Sequence, residues 1–162
     1  MAQVRRMHPA LWSGLLAGLL DACYASTVFT SATVAPMQVW QSVASGLLGR
    51  SAFQGGWTTG ALGLFLHFLI ALAMAAAYWL ASRRSAWMRA HPWRSGLLYG
   101  ACLYLAMTFV VLPLSAVPFA HPPTLKSLAL NLPVHLLFGL IFAFASRRPA
   151  TNPAPFRGTP PI

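Results

Sequence analysis

A single carboxylate, Asp21, stands in a chain of 162 residues that carries eleven Lys and Arg and five His. It lies in the run SGLLAGLLDACYAS, among Leu, Ala and Gly. Two histidines sit in equally apolar surroundings: His67 in GLFLHF and His135 in NLPVHLLFGL, the latter one helical turn after Asn131. A carboxylate beside an imidazole takes up and releases a proton near neutral pH, because unperturbed histidine titrates at about 6.5. The same two histidines on different helices could supply both axial ligands of a b-type haem.

Other chemistry lacks its residues. One acid gives no carboxylate pair for glycoside hydrolysis and no second acid for a two-metal centre. The chain has no G-x-S-x-G elbow, no H-E-x-x-H, and no phosphate-cradling G-x-x-x-x-G-K-[ST] loop. No enzyme activity and no resident cofactor are therefore expected, with haem b at His67 and His135 as the minor alternative.

The elements that must position these residues follow from composition. With 57% hydrophobic and 7% charged residues, the chain falls far outside the range of water-soluble domains, in which about a quarter of residues are charged. About 20 apolar residues are needed to cross a hydrocarbon core. Four stretches qualify, at about 10–34, 58–82, 95–119 and 125–146. The expected fold is an all-α polytopic membrane protein, a four-helix bundle over 10–148. It is preceded by a cytoplasmic N-terminus (1–9) and followed by a proline-rich, disordered cytoplasmic tail (149–162). Trp12, Trp40, Trp57, Trp79, Trp87 and Trp93 all fall near predicted span ends, where indoles anchor.

Nine basic residues lie in the N-terminus, the loop between spans two and three, and the C-terminus; Arg50 and Lys126 alone fall on the other side. That bias predicts both termini inside, in a bacterial inner membrane, with the basic loops meeting anionic lipid head groups. It needs no nucleic-acid partner, since no recognition motif accompanies it. The start of the chain has the outline of a lipoprotein signal ending in LLDAC, but Asp21 stands where a small or apolar residue is wanted, so cleavage is not expected. Cys23 and Cys102 read as buried small hydrophobes.

The chain echoes itself. SGLLAG and SGLLYG open spans one and three, each with a G-x-x-x-G pair, Gly14 with Gly18 and Gly96 with Gly100. That spacing lets backbones approach closely and permits a homo-oligomer. Spans two and four each carry one His and end in Ser-Arg-Arg, giving two pseudo-repeated hairpins. The first hairpin has extra residues, Pro36 to Gly56. Its 36–50 part reads as an amphipathic helix on the outer face, with Val39, Trp40, Val43 and Leu47 on one side and Gln38, Gln41, Ser42 and Ser45 on the other. It is expected to act either as a lid over an outward-facing cavity or as a surface anchor.

Counted inward from the basic ends, Asp21 is 15 residues from Arg6, His67 is 16 from Arg83 and His135 is 12 from Arg147. At 1.5 Å per residue these are depths of roughly 18 to 24 Å, one layer near the bilayer middle. A lipid-facing carboxylate is penalised by about 2.5 to 3.5 kcal/mol, so Asp21 should turn inward toward a His or Tyr24. Two functions fit this layer: proton-linked binding of a small solute in transport or sensing, or an accessory subunit in which Asp21, His67, His135 and Asn131 only fix helix packing. Pro113 and Pro133 should kink spans three and four.

The opening SGLLAGLLD, the segment QSVASGLLGRSAFQGG, GLFLHF, VVLPLS and NLPVHLLFGL resemble small bacterial inner-membrane proteins with four spans. The similarity extends distantly to YagU-type proteins, which also combine a G-x-x-x-G span with histidines in later spans. This resemblance implies architecture and location over about 13–148 and assigns no activity to any position.

Overall fold

A computed structural model describes residues 8–118 and 123–147; the expected C-terminal tail and most of the N-terminus lie outside the described residues. The chain is all-α: α1 (Pro9–Val28), α2 (Pro36–Leu48), a 3-10 segment (Gly49–Gln54), α3 (Gly56–Arg84), α4 (Ala86–Ala90), α5 (Pro92–Ala106), a π-helical turn (Met107–Val111), α6 (Leu112–Leu114) and α7 (Leu125–Ala145). Four of these form spans of 20, 29, 23 and 21 residues, the third running Pro92–Leu114. Each is long enough for the hydrocarbon core of about 30 Å.

Each span starts where its sequence tells it to. Pro9, Pro36 and Pro92 occupy the first helical turn, where a missing N–H costs nothing. α7 opens with a capping box: Ser127 N–H donates to Thr124 Oγ1 and Thr124 N–H donates to Ser127 Oγ. α1 ends at Val28, six residues before the expected Val34. There the Ser/Thr-rich run gives the backbone local alternatives to the helix, with Ser31 Oγ accepting from the N–H of Thr33 and Val34. Pro113 removes a donor from span three, and the helix answers with a π turn in which Leu112 N–H donates to Met107 O.

The bundle is inside out compared with a water-soluble one. α1 buries Ala10, Ser13, Gly14, Ala17 and Gly18 and exposes Leu11, Trp12, Leu15, Leu16, Leu19 and Leu20. Exposed Leu, Phe and Val recur on every span. A surface this apolar is stable against lipid tails and not against water. The chain is thus a multi-pass transmembrane protein whose interior is built from small residues and aromatic rings, with Tyr78 and Phe142 fully buried. Cys23 and Cys102 are exposed on the bundle surface. The expectation of buried cysteines is wrong because each falls on the side of its helix away from the buried glycine stripe.

Both G-x-x-x-G pairs hold their hairpins together. A Cβ on Gly14 would meet Leu72 Cα at 3.0 Å, and one on Gly18 would meet Phe68 Cδ1 at 2.8 Å, so α1 lies directly on α3. In the second hairpin Gly96 and Gly100 face Gly139 of α7, so that a Cβ on any of the three would strike backbone. Side-chain hydrogen bonds complete the interior. Tyr99 donates to Met74 O at 2.7 Å, Tyr78 and Ser95 share a buried hydroxyl pair at 2.8 Å, and Tyr24 donates to Leu130 O at 2.9 Å.

Gly139→Leu should therefore lower the detergent melting temperature sharply, at a cost of roughly 2 kcal/mol or more, because the clash is with backbone that cannot move aside. Leu98→Val, on the exposed face of α5 at 59% exposure, should leave it nearly unchanged.

Candidate functional site

His67 is the best-held of the expected site residues. Its Nε2 lies 2.9 Å from the carbonyl oxygen of Gly18 on α1. A carbonyl only accepts, so Nε2 carries a hydrogen and donates it. Trp40 of α2 and Phe68 stand edge-on to the ring, at centroid distances of 5.5 and 5.4 Å. Three elements thus fix one imidazole: α3 supplies it, α1 holds one nitrogen and α2 covers it.

The other nitrogen, Nδ1, faces Asp21 Oδ2 at 3.8 Å. Neutral His67 with a hydrogen on Nε2 presents a lone pair at Nδ1. Against an ionised carboxylate that arrangement repels, so the contact is attractive only when the pair holds one more proton, on Nδ1 or on the carboxyl. At 3.8 Å the two groups are within ion-pair range and are not hydrogen-bonded to each other. Asp21 is 28% exposed and His67 12%, so the carboxyl is the more open member. Among the described residues no hydrogen bond to Asp21 competes with this contact; Tyr24, an expected partner, turns to Leu130 O instead.

His135 stands further off. Its Nδ1 donates to Asn131 O of its own helix at 2.8 Å, and its ring lies edge-on to Tyr104 at 5.8 Å. Asn131 donates to Ser127 O at 2.8 Å and lines a separate cavity. The structure thus brings Asp21 and His67 together and leaves the His135 and Asn131 side chains bonded within their own helix. Among the described residues His135 keeps Nε2 free, as a ligating histidine would, but His67 does not fit a bis-histidine haem, because its Nε2 donates to Gly18 O and its Nδ1 faces Asp21.

Asn131 belongs to a cavity of about 940 Å³ at the opposite end of the bundle from the arginine-rich loops. Thr33, Gln38, Ser42, Arg50 and Gln54 give it polar walls, while Phe29, Val39 and Leu112 give it apolar ones. Thr30 Oγ1, in the adjoining loop, is buried without a hydrogen-bond partner among the described residues.

α2 links the cavity to the pair. Gln38, Val39 and Ser42 line the cavity, while the Trp40 ring rests on His67. Its packing departs in part from the expected amphipathicity: Val39 and Ala44 are buried as their face predicts, but Gln41 and Ser45 are buried too and Leu47 is 65% exposed. The reason is α3, whose Gly60 and Gly63 leave room for Met37 and for the Trp40 carbonyl, so that small and polar residues make the contact. Gln41 Nε2 donates to Gly56 O at 3.1 Å. Trp40 is accordingly a buried-side contact and not an interfacial anchor.

Comparison with family models, curated proteins and solved structures finds no match to this chain, so its site is read from its own geometry.

Asp21→Asn keeps the shape of the pair, because an amide N–H can donate to the Nδ1 lone pair, and removes the exchangeable proton. The stability difference between wild type and Asp21→Asn should change between about pH 5 and 9, and the change should vanish when His67→Gln is also present. A double-mutant cycle on melting temperatures should give a coupling of about 0.5 to 2 kcal/mol.

Proposed function

We propose that this is a bacterial inner-membrane protein in which the Asp21–His67 pair takes up and releases a proton while a small polar solute occupies the outer cavity, as one step of transport or sensing. Among the described residues Arg83, Arg84, Arg89, Arg94 and Arg147 lie at one end of the bundle and Arg50 and Lys126 at the other. The positive-inside bias puts the arginine-rich end and both termini in the cytoplasm and opens the cavity outward.

One observation carries this reading: the Nε2 donor bond to Gly18, which leaves Nδ1 and a partly exposed carboxyl in a contact that requires a mobile proton. Buried polar groups in spans often serve only to fix packing. Here that role is filled by the tyrosine bonds to Leu130, Met74 and Ser95, which tie α1 to α7 and α3 to α5. His67 adds the bond that ties α3 to α1 through Gly18 O, while Asp21, which makes no hydrogen bond among the described residues, is not needed for packing.

α2 is the lid in this reading. Gly49 and Gly56, with φ of 59° and 55°, bracket the 3-10 segment that follows it, and left-handed glycines are natural hinge points. The same end of α2 is held by the residues that follow span three, where Ala116 N–H donates to Gly46 O at 2.9 Å.

In proteoliposomes carrying a pH-sensitive dye, wild type should dissipate a proton gradient, and Asp21→Asn should slow this at least about tenfold while remaining folded. Equal flux in the two proteins would remove the proton role and leave the accessory-subunit reading. A Cβ on Gly46 would lie 3.8 Å from Ser115 Cβ, a separation that suits a disulfide. With Cys23 and Cys102 replaced by Ala, the pair Gly46→Cys and Ser115→Cys should cross-link, block flux, and release it on reduction. Unchanged flux in the cross-linked protein would make α2 a static anchor.

A further inference from the structure

At the arginine-rich end, three guanidinium groups from three parts of the chain converge on one partly enclosed pocket of about 250 Å³. Arg83 comes from the end of α3, Arg89 from α4 and Arg147 from the turn after α7; Pro9, Trp79, Ser82 and Ser146 complete the lining. The volume falls below that of ordinary organic-ligand pockets and suits a single small anionic group.

Each guanidinium is held in a way that leaves N–H groups uncommitted. Arg83 lies over the Trp79 ring, 4.8 Å from its centroid, and Arg147 lies 5.3 Å from that of Phe144. Stacking uses the face of the group and leaves its N–H edge open. Arg89 donates through Nη1 to the carbonyls of Ser82, in a short contact, and of Arg83 at 3.0 Å. Its Nε and Nη2 remain. The C-terminal dipole of α3 and these carbonyls explain why cations gather here, but among the described residues no protein anion balances them. The only acidic side chain in the whole sequence is Asp21, which faces His67 inside the bundle.

Three preoriented guanidinium edges and a volume of this size match the recognition of a phosphate group, which arginine binds through paired N–H donors, while the Ser82 hydroxyl already donates to Trp79 O. We infer that the Arg83–Arg89–Arg147 pocket is a phosphate site that seats the phosphodiester of an anionic phospholipid. Trp79 stands five residues inside the Arg84 end of α3, a position at which indoles favour the membrane interface. Only the assignment to the cytoplasmic leaflet rests on the proposed orientation; the site itself does not depend on any proton or solute movement.

The test uses purified full-length protein in neutral detergent, titrated with dioleoylphosphatidylglycerol, with dioleoylphosphatidylcholine and with inorganic phosphate. Melting temperature and the lipid adduct in native mass spectrometry are read in parallel. Wild type should retain one phosphatidylglycerol and melt several degrees higher with it, while phosphatidylcholine should bind markedly more weakly. Arg83→Gln with Arg147→Gln should weaken the adduct about thirtyfold, the order expected from about 1 kcal/mol for each of the two basic contacts removed. Arg84→Gln with Arg94→Gln, which changes net charge equally outside the pocket, should leave it intact. An arginine-dependent shift with inorganic phosphate and none with lipid would keep the phosphate site and assign it to a soluble phosphate compound. Equal losses in the two double variants, or no preference for phosphatidylglycerol, would overturn the site, leaving general surface charge as the cause.

Discussion

Close approach of helix backbones at small residues is the constraint on which the rest of this bundle depends. In lipid, apolar side chains gain little by leaving their surroundings, so spans associate through packing and hydrogen bonds. Gly14 and Gly18 let α1 rest directly on Phe68, Ala71, Leu72 and Ala75 of α3. Only at that distance does the Gly18 carbonyl reach the His67 ring, and that bond turns Nδ1 toward Asp21. The packing motif and the candidate site are one arrangement.

The second hairpin repeats the packing without repeating the chemistry. Gly100 again faces the backbone at the histidine of the next span, but the His135 ring bonds to Asn131 of its own helix. The first hairpin has what the second lacks: a carboxylate one turn beyond its second glycine and an inserted helix whose Trp40 covers the imidazole. A pair of similar hairpins, with the insertion and the acid confined to one of them, gives a bundle in which the carboxylate and the helix that covers its partner imidazole stand in the same half.

Much of the architecture was legible from the chain. Four apolar stretches, their basic flanks and the paired SGLL motifs predict an all-α membrane bundle, because span length and small-residue spacing follow directly from the thickness and chemistry of the bilayer. Which polar residues would meet was only partly legible. Depth counting placed Asp21 and His67 in one layer, but depth does not give rotation, and Asn131 turned out to face a separate cavity. The face of α2 was legible in part: Val39 and Ala44 are buried as expected, but Gln41 and Ser45 are buried as well. Glycines on α3 bring the two helices close enough for polar residues to make the contact, as Gln41 does with Gly56 O. The pocket of Arg83, Arg89 and Arg147 was visible in the sequence only as dispersed positive charge, since its members come from three separate segments.

The central claim is that Asp21 and His67 share one exchangeable proton. Infrared difference spectroscopy tests it most directly, because the protonated-carboxyl stretch of Asp21 has no other acidic side chain to confuse it and Asp21→Asn identifies the band. A carboxyl band that titrates between about pH 5 and 9, and whose titration moves when His67 is replaced by Gln, is the predicted result. A band indifferent to His67→Gln across that range would contradict the shared proton and leave Asp21 as a polar group that serves packing alone.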